Sequence, residues 1–104
     1  MAEFINPFSG MTPDRKLTDR ELARAVRMAL AAEEEAVHMY EAMADASDNP
    51  LAVKVLQDIA DEERVHAGEF QELLRTLLPD EQQLLQKGSA EVKELAGEEK
   101  NRKE

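Results

Sequence analysis

Cysteine is absent from all 104 residues. That excludes a disulfide framework and any thiolate metal site. Tryptophan is missing too, and the aromatics amount to Phe4, Phe8, Tyr40 and Phe70. Basic charge is scarce, with 13 Lys and Arg against 23 Asp and Glu, a net charge of −10 and a pI near 4.7. Such a balance argues against a nucleic-acid partner and against an anionic membrane surface. It suits a protein that collects cations. No apolar run approaches the ~18–20 residues of a membrane span. The opening stretch "MAEFINPFSGMTPDRK" has no basic segment followed by an apolar one, so a secretory signal is not expected. A cytoplasmic location fits these absences.

What remains is a chain dominated by Ala, Leu, Glu and Met, an all-α composition for one small domain. Residues 1–16 carry Pro7, Gly10 and Pro13 without periodicity and read as an extended arm. Thr18 and Glu21 then form a capping box, with Leu17 and Leu22 at the staple positions. The helix that follows shows a stripe at Leu22, Val26, Leu30, Glu33, Val37, Tyr40 and Ala44. Asn49 with Pro50 reads as the cap and first position of a second helix. Its stripe is Leu56, Ile59, Glu63, His66, Phe70, Leu73 and Leu77, and Pro79 stops it. "PDEQQLLQKG" predicts a short third helix ending at Gly88. Ser89 can cap a last turn or two closed by Gly97. Residues 98–104 have no apolar side chain and are expected to be disordered. The domain proper therefore spans 17–97.

Two stripe positions on the second helix hold Glu63 and His66 where hydrophobes belong. A few residues join the two long helices, so they are antiparallel neighbours. Glu33 lies about fifteen residues before the turn, Glu63 about fifteen after it and His66 about eighteen. The three therefore share one level of the hairpin. Burying two carboxylates and an imidazole there is costly without a neutralising charge, and neither stripe has a Lys or Arg at this level. A divalent cation fits. The spacing of Glu63 and His66, i and i+3, puts both on one helix face. Oxygen and imidazole donors suit iron, manganese or zinc.

A di-iron carboxylate bundle needs one Glu from each of two helices and Glu-x-x-His from each of the other two. This chain holds half of that set. A second copy about a two-fold axis would complete it as a four-helix homodimer with two metals at the axis. Other residues read more simply. His38 is one step off the stripe and expected at the surface. Glu34 and Glu35 extend an acidic run that is a solvated face or a guide for cations. Tyr40 is either core or a hydrogen-bonding support for a ligand carboxylate. Met28, Met39 and Met43 read as packing.

The stretches "LTDRELARAVRMALAAEEEAVHMYEAMADAS", "LQDIADEERVHAGEFQELL" and "AEVKELAG" resemble the encapsulated ferritins, ferritin-like proteins housed in encapsulin nanocompartments. The resemblance covers residues 17 to 97. It implies a half ferritin whose hairpins pair into a four-helix dimer and assemble into a ring-shaped decamer. It implies a ferroxidase, with a di-iron centre (Fe) shared across the homodimer, for iron storage in an encapsulin shell. The family's ligands match Glu33, Glu63 and His66, with Glu63 bridging both irons, and its tyrosine matches Tyr40. One member of the family's outer acidic cluster, on the inward path of iron, matches Glu35. Another position of that cluster holds Ala32 here, with Glu34 beside it. Some relatives end in a shell-docking peptide and some archaeal relatives are fused to the shell protein. "EEKNRKE" shows no apolar docking motif. Two rival readings of the same residues are a rubrerythrin-like di-iron peroxide reductase and a non-enzymatic structural or adaptor helical dimer whose Glu/His cluster holds Zn or Ca or is merely a hydrogen-bonded network.

Overall fold

The computed structural model describes residues 14–103, and most of the arm expected over 1–16 falls outside them. The described residues form three helices and no strand. Helix α1 spans Asp19–Asp45, α2 spans Pro50–Leu77 and α3 spans Glu81–Lys103. No helix is long and apolar enough to cross a membrane.

The helix starts follow from local chemistry. The Thr18 hydroxyl accepts from the Glu21 N–H at 3.1 Å, and the Glu21 carboxylate accepts from the Thr18 N–H at 3.0 Å. Two orphan donors of the first turn are thereby satisfied. Arg15 forks onto the same carboxylate at 2.8 and 2.6 Å. Those hydrogen bonds, with the one from the Thr18 backbone, hold the Glu21 carboxyl down to about 2 from its ordinary 4.5. At α2 the Asn49 side chain accepts from Leu51 and Ala52, both at 3.1 Å, and Pro50 occupies the first helical position. Leu78 leaves helical geometry at φ −129°, ψ 68°, and Pro79 follows. A residue before proline is pushed out of the α region.

The four residues between α1 and α2 turn the chain back, and the two helices pack along their length. The residues they bury are small: Ala23, Val26 and Ala44 from α1, Ala60 and Ala67 from α2. The rest of the two apolar stripes flanks this seam and is only partly covered. Val26 and Ala44 are buried, but Leu22 and Leu73 stay exposed, and Leu30, Val37, Tyr40, Leu56, Ile59, Phe70 and Leu77 are half-buried.

The third element departs from expectation. In place of a short helix ending at Gly88, a capped last turn closed by Gly97 and a disordered tail from 98, α3 runs unbroken for 23 residues. A glycine inside a helix costs only about 1 kcal/mol relative to alanine. A glycine stop of the expected kind needs a left-handed residue at that position, and neither Gly88 nor Gly97 adopts a positive φ. The charged tail carries the i,i+3 pair Glu99–Arg102, and its charges do not oppose a helix. An Arg27–Glu81 ion pair ties the start of α3 to α1. From Gln83 to Arg102 every residue is exposed, Leu84, Leu85, Val92 and Leu95 included. The radius of gyration is 18.4 Å, against ~13 Å for a compact chain of this length.

Asn49→Ala should lower unfolding stability by about 1 kcal/mol, read by chemical denaturation; an unchanged midpoint would mean the cap is idle. Glu21 supplies a pH test. Its folded pKa is depressed, so its contribution is present above about 4.5 and lost as pH falls towards about 2. Glu21→Gln should remove that part of the acid sensitivity, seen as a shallower fall in melting temperature over the same window.

Candidate metal centre

Glu33 sits midway along α1, and Glu63 and His66 lie one turn apart midway along α2. The antiparallel packing brings them to one level. One ligating atom from each lies within 4.8 Å of the other two, and this is the only such group of His, Asp and Glu among the described residues. The His66 Nδ1 is 3.8 Å from a Glu33 oxygen and 3.6 Å from a Glu63 oxygen. These separations are long for hydrogen bonds. Donors around one ion at ~2.0–2.2 Å lie roughly 3–4 Å apart, so the observed spacing fits a shared cation.

Burial sharpens the point. The Glu33 and Glu63 side chains keep 21% and 20% of their exposure, whereas His66 keeps 51%. The Glu33 Oε2 atom is out of contact with solvent and has no hydrogen-bond partner. A carboxylate oxygen in that state lacks both water and a donor, and each such group in a native protein calls for an explanation. Among the described residues no Lys or Arg pairs with Glu33 or Glu63. Arg64, the nearest in sequence, turns to Glu41 and Asp61 instead. Oxygen and imidazole donors without a basic partner make a fitting site for a divalent cation.

The structure brings together the three predicted ligands and leaves the other candidates apart. His38 is exposed and outside the group. Glu34 and Glu35 are exposed, and Glu34 lines a cleft that it shares with Arg64 and Gly68. Ala32 is exposed as well. Tyr40 is half-buried, and its hydroxyl makes no hydrogen bond among the described residues. The support expected from it for a ligand carboxylate is therefore not made within one chain. Met39 and Met43 are about half exposed, so the packing expected of them is not completed here either. The reading of single residues missed Arg64, although Asp61 one turn before it was a visible i,i+3 partner.

The rubrerythrin family pattern matches residues 24–103. The crystal structure of the encapsulated ferritin domain from Pyrococcus furiosus superposes with a TM-score of 0.79 at 41% identity, covering 92% of this chain and 97% of that one. The chain belongs to the encapsulated ferritin family. An encapsulin nanocompartment cargo protein of Myxococcus xanthus is 47% identical over 76 residues, which are 73% of this chain and 58% of that protein. A ferritin-like–encapsulin shell fusion protein of Pyrococcus furiosus is 42% identical over 93 residues, 89% of this chain and 27% of the fusion. This encapsulated ferritin thus spans less than two thirds of either relative.

Glu33→Gln should stabilise the metal-free protein by about 1 kcal/mol, because an amide removes a buried charge and supplies a donor to Glu63. The same variant should lose the rise in melting temperature that Co(II) gives the wild type. Melts with chelator and with Co(II) check both; an undiminished Co(II) response would remove Glu33 from the site.

Proposed function

We propose that this encapsulated ferritin is a ferroxidase, taking Fe(II) as substrate and releasing Fe(III). The observation that carries the reading is the Glu33 oxygen held out of water without a partner, facing Glu63 and His66. The chain holds half of the donor set of a di-iron carboxylate bundle. A second copy about a two-fold axis beside Glu33, Glu63 and His66 would supply the other half. That pairing would also cover the half-buried stripes and the exposed Leu22, Met39, Met43 and Leu73. Further association into a decameric ring follows the family resemblance.

In the shared site Glu33 and His66 bind substrate iron as terminal ligands, and Glu63 spans both ions. Two carboxylates from each copy offset the charge of two Fe(II) ions. Each Fe(II) gives up one electron. The pair reduces O2, with two protons, to hydrogen peroxide, or reduces hydrogen peroxide, with two protons, to two waters. The protein's part is to fix the ligands and leave coordination positions open to the oxidant. Fe(III) then leaves for mineral storage. A hairpin of this size encloses no storage cavity, and the named relatives associate with encapsulin. The storage volume is therefore assigned to an encapsulin shell around this protein in the cytoplasm.

Aerobic addition of Fe(II) tests the activity. Wild type should oxidise it at least about tenfold faster than Glu33→Ala, since loss of a ligand costs no less than loss of a residue supporting one. Equal rates would sink the proposal. The rubrerythrin family match favours one second reading, a peroxide reductase using the same two irons. Faster single-turnover oxidation of bound Fe(II) by hydrogen peroxide than by O2 would select it.

A further inference from the structure

The α1–α2 seam has little in it to fix its register. Its buried residues are four alanines and one valine. Side chains this small raise shallow ridges, so one helix can rotate or slide on the other at low cost. Glu33 and Glu63 repel each other across the seam and cannot hold their own alignment. Something else must keep α2 turned so that Glu63 and His66 face Glu33.

Arg64 follows Glu63 directly and projects about 100° further round the helix. Its guanidinium crosses the seam to the Glu41 carboxylate of α1. Its Nη1 donates to Asp61 one turn back at 2.8 Å. Among the described residues this is the one ion pair from α1 to α2 outside the Glu33, Glu63 and His66 group. Arg64 also lines two clefts, of about 320 and 360 Å³, between α1 and α2. Neither cleft is bridged by another charged pair. The planar fork of arginine suits this double grip, which lysine matches only in part.

We propose that Arg64 is the positioning residue of the metal site, an inference that rests on the metal reading above. Held to Glu41 and Asp61, it fixes the rotation of α2 and so aims Glu63 and His66 at Glu33. An exposed ion pair adds little to global stability. Selecting one of several nearly equal helix rotations needs only a small difference.

The test uses Co(II) binding to the full chain, followed by its visible ligand-field spectrum and by titration. Arg64→Ala should weaken Co(II) binding by roughly two- to fivefold, the range open to an exposed pair, and should alter the spectrum. Glu41→Ala should do the same. The double variant should be no weaker than either single one, because both remove one link. Arg64→Lys should fall between Arg64→Ala and wild type, and it carries the test should the alanine variant lose helical circular dichroism. A wild-type isotherm and spectrum in Arg64→Ala would overturn the proposal, as would fully additive losses in the double variant. Glu63→Ala separates this from the site itself. Wild-type binding there would overturn the site and with it the role of Arg64. Lost binding there beside unchanged binding in Arg64→Ala would overturn Arg64 alone.

Discussion

A carboxylate oxygen withdrawn from water has to meet a donor, a proton or a cation, and the Glu33 Oε2 meets no donor among the described residues. The rest of the hairpin is arranged around that demand. Glu63 is buried to the same degree one helix away, so a second negative charge aggravates the first. His66 stands too far from both oxygens for a good hydrogen bond, yet at a distance suited to sharing an ion with them. A chain of net charge −10 adds a further unfavourable field around the pair. Each of these features costs stability in an isolated chain, and a cation at the centre removes them together.

The alanine seam explains how such a site can be built from so few residues. Two helices in contact through Ala23, Ala44, Ala60 and Ala67 approach closely. Short side chains from opposite helices then reach one another. The same choice deprives the hairpin of a core, since none of its buried side chains is larger than valine. Larger apolar residues of the two stripes, Leu30, Tyr40, Ile59 and Phe70 among them, are left only half-buried. The stripes that a single chain leaves partly uncovered are thus the ones that carry the candidate site.

Much of this was legible in the residues. The capping box at Thr18 and the Asn49–Pro50 start are chemical necessities of a helix terminus, and the structure has both. Glu33, Glu63 and His66 could be grouped because only the turn position and two helical periods enter the argument. The seam was less legible. The apolar periodicity picks out two seam residues, Val26 and Ala44, but Ala23, Ala60 and Ala67 complete the seam and are too weakly hydrophobic for the pattern to single out. The C-terminal helix is present as expected, and only its extent is hidden in the sequence. Glycine is common after helices, so Gly88 and Gly97 look like stops, but a weak propensity cost does not end a helix unless the next residues offer an alternative set of hydrogen bonds. Arg64 was invisible as a cross-helix link because its partner, Glu41, lies 23 residues away on a helix whose rotation depends on the seam.

Linkage joins the two deficits of the proposed dimer. An ion held by ligands from two copies binds the paired state in preference to the single one, and by thermodynamic necessity pairing raises the affinity for the ion by the same factor. Charge works in the same direction. Two chains of −10 repel each other, and cations placed between them lower that repulsion where the carboxylates are closest. Apolar cover works against it, since the stripes flanking the site favour pairing whether or not metal is present. The balance between these terms decides whether metal assembles the bundle or fills one already made. A buried charge without a partner tips that balance, because every copy that pairs without metal brings two more unneutralised carboxylates to the axis. In the proposed dimer the stripes would favour association through their hydrophobes and resist it through Glu33 and Glu63, and a cation would turn the second influence into the first.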